Sequence, residues 1–200
     1  MVAGTGGGKG RLILASASPR RLSLLRQIGI EPDEVAPAEL DEIPNRRELP
    51  AAFAKRMAEE KAAYAGHSHQ GNFVLAADTV VALGRRIMGK AKSEAEAAAF
   101  LRALSGRRHR VLGAVKVIAP GGREAARLVT TMVTFKRLTE PEIQAYIKSG
   151  EWRDKAGAYA IQGHAAAFVP AINGSYTNVV GLPLVETRNL LVGQGYRPHV

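Results

Sequence analysis

Four short polar segments of this chain could do chemistry, and they lie far apart: LILASASPRR at 12–21, AADTVV at 76–81, MGK at 88–90 and DKAGAYAIQG at 154–163. Each puts phosphate-binding or acid/base groups at the end of an apolar run. Together they imply a cleft between two halves of a sheet, holding an anion and a metal. In the first segment a strand ends at Ser16 and a helix begins near Ser18-Pro19. A helix N-terminus offers free N–H groups and the positive end of its dipole to an anion. Ser16, Ser18, Arg20 and Arg21 share that turn, and a guanidinium fork matches phosphate oxygens. The serine pair ahead of Pro-Arg-Arg favours phosphate binding over a capped surface helix with two solvated arginines.

Asp78 follows directly on a buried apolar run. Strands are depleted in Asp, and a buried charge needs a partner. That partner could be Mg²⁺, a water to be activated, or an Arg; the plainer alternative is a strand-end Asp capping a turn. Lys90, downstream in the same β-rich unit, favours the functional reading. Asp41-Glu42 adds carboxylates in a loop. Lys61 lies on an acid-rich helix and reads, from the residues alone, as an exposed lysine. Gly157 and Gly163 allow close backbone approach, and Gln162 can both donate to and accept from a base edge. His67, His69, His109, His164 and His199 have no paired metal-ligand spacing.

The elements that must position these groups follow from pattern. Arg11 to Ser16 suits a buried strand. Pro19, with Ser18 as N-cap, opens a helix carrying Leu22, Leu24, Leu25 and Ile28, and Gly29 stops it. Residues 30–47 read as a short strand and a loop, 48–65 as a helix by propensity, and 72–83 as a strand. Ser93 with Glu96, and Thr139 with Glu142, form capping boxes for helices over 94–104 and 140–149. Two β-rich stretches, 109–119 and 124–136, flank Pro120-Gly121-Gly122 as a hairpin. Residues 166–172 form an apolar run. Residues 178–192 are mostly helical, with Gly181 and Pro183 delaying the regular part. The mixture indicates an α/β (mixed α+β) fold: residues 1–10 as a disordered Gly-rich extension, then one domain of two lobes over 11–200. GTGGGKG near the start is no P-loop, because Gly10 follows Lys9 where Ser or Thr is required.

Composition narrows the class. The chain has 200 residues, 46% hydrophobic and 23% charged, with no cysteine, which excludes disulfides and thiolate metal sites. No apolar stretch approaches the ~20 residues of a membrane span, and the N-terminal residues lack a signal peptide's apolar core. No membrane partner and a cytoplasmic location are expected. The net charge of +10 favours anionic partners. At 6% aromatic, with no Lys/Arg block interleaved by aromatics, the chain offers no stacking platform, and no specific nucleic acid is expected.

With SASPRR, Asp41-Glu42, EEKA at 59–62, AADTVV, GK at 89–90, LSGRRHRV at 104–111, DKAGAYAIQG and NGSYTNVVGLPL at 173–184 all present, the chain resembles the Maf-like nucleotide pyrophosphatases from about Leu12 to Val192. The resemblance implies a long twisted mixed sheet bridging two α/β lobes, with the active site between them. It implies hydrolysis of a nucleoside triphosphate to the monophosphate and pyrophosphate, with Mg²⁺ or Mn²⁺, in a house-cleaning role. Asp78 matches the family's proton acceptor. Ser16, Arg20, Arg21, Lys61 and Lys90 match phosphate-binding positions, and Asp41 or Glu42, with Asp78, the metal-associated carboxylates. Arg20, Thr79 and Gln162 match the specificity positions of the dTTP/UTP group. Ala91 replaces a common Pro and Ala160 a common Gly; neither change removes a functional group. A homodimer is implied. The competing class is a non-catalytic nucleotide- or nucleic-acid-binding regulator of cell division, which the positive charge favours.

Overall fold

The computed structural model describes residues 10–198. The Gly-rich extension up to Lys9, with its P-loop-like glycines, and His199 lie outside the described residues. Strand β1 (Leu12–Ala15) is buried throughout and leads into helix α1 (Pro19–Gln27). Strand β2 (Glu34–Val35) and helix α2 (Pro50–Ser68) follow, then the long strand β3 (Phe73–Leu83) and the short β4 (Arg86–Met88). Helix α3 (Glu94–Leu104) precedes the hairpin β5 (Arg108–Ile118) and β6 (Glu124–Thr134). Helix α4 (Glu140–Ser149), a 3₁₀ helix (His164–Phe168), strand β7 (Ala171–Asn173) and helices α5 (Tyr176–Val180) and α6 (Leu184–Gly193) complete the order.

The strands form one mixed sheet, β2-β1-β3-β5-β6-β7, with β4 added to β3. β1 runs parallel to β3 over Phe73–Ala76, whereas β4 pairs with it antiparallel over Val81–Leu83. β5 occupies the opposite edge of β3 from Val74 to Ala82. The β1 side of β3 is therefore unpaired from residue 77 to 80. This gap becomes the cleft.

Alternation along β3 assigns its side chains to two faces. Val74, Ala76, Val80 and Ala82 pack toward α2, against Phe53, Met57, Ala62 and Ala65. On the other face Phe73, Leu75 and Ala77 join a core with β1, α1 and α6. Farther along, Val81 joins a second core built from α3, α4, Phe135, Trp152, Tyr159 and Phe168. Burying these apolar side chains stabilises the fold by about 1.5–3 kcal/mol each for the larger ones. The long strands carry both cores, so the central sheet bridges two lobes of a mixed α/β fold.

Local signals mostly set the element ends. Glu142 Oε2 accepts from the Thr139 N–H (2.8 Å), the return bond of a capping box, and also from the Thr139 hydroxyl (2.9 Å). Ser93 Oγ accepts from the Glu96 N–H, but the Glu96 carboxylate reaches Lys92 N instead of Ser93 N, so only half of the expected box forms. Ser18 holds the N-cap position of α1 without its side chain capping; its N–H instead donates to Ser16 Oγ at 3.3 Å. The apolar run at 166–172 divides into the 3₁₀ turn and β7. The segment expected to be helical over 178–192 starts earlier and breaks into α5 and α6, because Gly181 (φ 144) and Pro183 lie between them.

Candidate functional site

A cleft of about 440 Å³ opens at the gap beside β3. It receives the C-terminal end of β1, the first turn of α1, the Lys90 loop and the 154–162 loop. The ends of parallel strands commonly bind ligands this way, because a helix N-terminus there turns unpaired amides toward the ligand.

Consecutive residues of β3 point to opposite faces, so Asp78 and Thr79 serve different sides of the cleft. Asp78 shares the α2 face. Its Oδ1 accepts from Lys61 Nζ at 2.6 Å, and Lys61 also contacts Glu42 Oε1 at 2.6 Å. Lys90 Nζ donates to the other Glu42 oxygen at 2.9 Å. Two carboxylates and two ammoniums thus form a chain, with Lys61 at its buried centre and Lys90 exposed. Burial pushes the Glu42 carboxyl up, but hydrogen bonds and charge from Lys61, then Lys90, outweigh that and bring it down to about 2.

Thr79 faces α1. Arg21 is buried there as a three-way brace: Nε donates to Gly181 O at 2.9 Å, Nη1 to Ser16 Oγ at 2.7 Å and Nη2 to Thr79 Oγ1 at 3.2 Å. Burial lowers the Arg21 guanidinium pKa, opposed first by the charge of Asp78. Arg20, half-buried, donates from Nε to Val180 O at 3.3 Å. Burial lowers its pKa too, opposed by Asp154.

The 154–162 loop is fastened from several directions. Gly157 N donates to Met88 O (2.9 Å) and Gly89 O (3.0 Å), and Lys90 bridges Ala156, so the two loops are joined. Gly157 has φ 70, and a Cβ there would lie 2.8 Å from Val81 Cγ1; only glycine fits. His109 Nε2 lies 2.8 Å from the Tyr159 hydroxyl, and Ala160 N donates to the Tyr146 hydroxyl at 3.0 Å. Burial pushes His109 down to about 4, so it is neutral at pH 7. Gln162 is exposed on the cleft wall, its carboxamide without a hydrogen bond among the described residues.

The structure therefore brings Ser16, Arg20, Arg21, Glu42, Lys61, Asp78, Thr79, Lys90 and Gln162 to one cleft. Asp41 is not brought in: it is exposed and makes no ion pair among the described residues, because the loop turns its neighbour Glu42 inward. Lys61 corrects the expectation of an exposed lysine, being only 6% exposed. Its signal lay in the spacing Phe53, Met57, Lys61, Ala65, a stripe of successive i+4 steps on the buried face of α2. Lys155, Tyr159, Val180 and Gly181 also line the cleft and were not singled out individually from the sequence. Among the described residues no group of three or more His, Cys, Asp or Glu is placed to hold a metal. Asp78 still suits a Mg²⁺-type ion, which takes one or two carboxylates and completes its shell with waters and phosphate oxygens, whereas both Glu42 oxygens are engaged by Lys61 and Lys90. Lys61 takes only one oxygen of Asp78, leaving Oδ2 without a hydrogen bond among the described residues.

Known proteins resemble this chain along nearly its whole length. The chain is 60% identical over 187 residues to the dTTP/UTP pyrophosphatase of Paramagnetospirillum magneticum, covering 94% of this chain and 98% of that protein. It is 57% identical over 187 residues to the protein of the same name from Caulobacter vibrioides, covering 94% and 97%. It is 59% identical over 190 residues to the one from Hyphomonas neptunium, covering 95% and 98%. No described helix is long and apolar enough to cross a membrane. The family model for Maf-like proteins matches residues 11–194, and with relatives this similar along nearly their whole length, the chain belongs to the Maf-like protein family.

Proposed function

We propose that the protein hydrolyses dTTP and UTP between the α and β phosphates, giving the nucleoside monophosphate and pyrophosphate. The observation that carries this is one buried carboxylate, Asp78, with a free oxygen inside a cleft otherwise rich in cations: Lys61, Lys90, Arg20 and Arg21. Phosphoryl transfer needs little covalent help from the protein, so positioning and charge stabilisation do most of the work. The first turn of α1 and Ser16 cradle phosphate oxygens. Lys90, exposed and held by Glu42, swings to the triphosphate, while Lys61 stays between the carboxylates. Asp78 Oδ2 orients a water for in-line attack and takes its proton. Gln162 and Thr79 select the base; a uracil or thymine edge alternates carbonyl oxygens with an N–H, which one carboxamide can complement. A Mg²⁺ or Mn²⁺ held by Asp78 would supply neutralisation of the phosphate charge. The role fits house-cleaning of nucleotide pools, in a homodimer.

Pyrophosphate release from a panel of nucleoside triphosphates tests this, with Asp78→Asn alongside. Release from dTTP and UTP is expected, reduced by about 10²–10⁴-fold in the folded variant. No release from any nucleotide, or unchanged turnover in Asp78→Asn, overturns the reading.

A further inference from the structure

The NGSYTN segment at 173–178 contributes nothing to the cleft wall, which resumes at Val179, yet it contains a fully buried amide. Asn178 is fully buried on α5. Its Nδ2 donates to Thr131 Oγ1 (3.0 Å), Val111 O (3.1 Å) and, more weakly, Val129 O (3.4 Å), reaching across both β5 and β6. The Thr131 hydroxyl is saturated: besides Asn178 it accepts from Ser175 N at 3.1 Å and donates to Ser175 O at 3.2 Å. The Asn178 carbonyl fits a slot that exists only because residue 113 is glycine. A Cβ there would fall 1.9 Å from Asn178 Oδ1. Oδ1 itself has no hydrogen-bond partner among the described residues, a cost that an amide kept only for packing would not need to bear.

What this amide fixes is the end of α5. Two and three residues on, Val180 O holds Arg20 Nε and Gly181 O holds Arg21 Nε. Gly181 O also accepts from Thr79 Oγ1 at 3.3 Å, and Arg21 passes the constraint to Ser16. We propose that Asn178, seated in the Gly113 slot, is a positioning residue that sets the α5 carbonyls and through them Arg20, Arg21, Ser16 and Thr79. It touches no substrate. Its effect on substrate rests on the function proposed above; its effect on the arginines does not.

The test reads these two separately. In protein labelled with ¹⁵N-arginine, the Arg21 Nε–H of the wild type exchanges slowly, and Asn178→Ala makes it exchange fast at a temperature where circular dichroism shows both folded. Gly113→Ala, which evicts the amide, does the same, and the double variant is no worse than Asn178→Ala alone. Equal Arg21 protection in Asn178→Ala, or additive losses in the double variant, overturns the proposal. Should Asn178→Ala fail to fold, Gly113→Ala, which leaves the Thr131–Ser175 bonds in place, carries the same measurement. Calorimetry with the α,β-methylene analogue of dTTP supplies the second readout, with Asn178→Ala binding about tenfold more weakly than wild type. Equal affinities count against the proposal. A wild type that binds no analogue overturns the proposed function instead, and leaves the arginine measurement standing.

Discussion

Lys61 is the residue on which the charge balance of the cleft turns. Its ammonium lies 2.6 Å from a carboxylate oxygen of Asp78 and 2.6 Å from one of Glu42, and its side chain is 8% exposed. Removing one partner of a buried ionic cluster leaves the rest uncompensated, at about 3–5 kcal/mol. Lys61→Met should therefore lower stability at pH 7 by about 3 kcal/mol. The gap to wild type should narrow as the pH falls. Wild-type Glu42 has a folded pKa depressed to about 2, so it contributes stability above the unfolded value of 4.5 that is lost as the pH falls toward 2. In the variant, Glu42 loses its main cationic partner and stands near Asp78, so protonation relieves the variant. Urea unfolding at pH 7 and pH 4 checks this, and a gap that widens on acidification refutes it. Sequence showed part of this site. Ser16, Asp78, Lys90 and Gln162 were legible because each ends an apolar run or sits in a Gly-containing loop. From the residues alone Lys61 reads as exposed, because its neighbours Glu59 and Glu60 mask the i+4 stripe, and only the family resemblance put it among the phosphate-binding positions. Arg21 was expected by type to be a phosphate ligand; its three inward hydrogen bonds could not be read, because they depend on residues up to 160 positions away.

The element that most constrains the cleft is the 154–162 loop, and Gly157 is its pivot. A side chain there would meet Val81 at 2.8 Å and demand φ 70. Left-handed strain costs about 1–3 kcal/mol and a steric conflict with a buried strand adds to it. Gly157→Ala should lower stability by about 2 kcal/mol or more, whereas Gly121→Ala, in the hairpin turn with open space around it, should be near neutral. Thermal melts compare the two; equal melting temperatures would refute the loop's dependence on Gly157. Activity should fall with Gly157→Ala beyond any folding loss, because Lys90 is bridged to Ala156 next door. Most elements were readable from caps and periodicity. The long β5–β6 hairpin, α3 and α4 carry local signals at both ends. The pairing of β1 and β4 with one edge of β3, which creates the gap, carries none, since it is set by which edge β5 leaves free.

At the scale of the whole molecule, the two lobes meet across long shared strands, and the lobe core holding Tyr159 also buries a titratable group that the cleft chemistry does not use. His109 is 1% exposed, with its ring edge-on to Phe135 and Tyr159 and its Nδ1 without a partner among the described residues. Among the described residues no acid pairs with its ring, aromatic rings pack on it, and the Tyr159 hydroxyl is the one hydrogen-bond partner of the imidazole, at 2.8 Å. Desolvation alone holds it at about 4, against 6.5 in an unfolded chain. The unfolded state then binds the extra proton between those values, so the stability of the fold is full above pH 6.5 and declines as the pH falls toward 4. At pH 5 the loss from this residue amounts to about 2 kcal/mol. His69 opposes it weakly: Glu34 and the Ala65 carbonyl raise its pKa, so its contribution is present at low pH and lost on going up, but it is near the surface and screened. A comparison with His109→Gln, which keeps a polar contact for Tyr159, isolates the buried ring. The wild type should lose stability between pH 7 and pH 5 while His109→Gln stays nearly level over the same interval, read as denaturant midpoints at fixed ionic strength. Parallel pH profiles for the two proteins would show that protonation of His109 does not couple to unfolding.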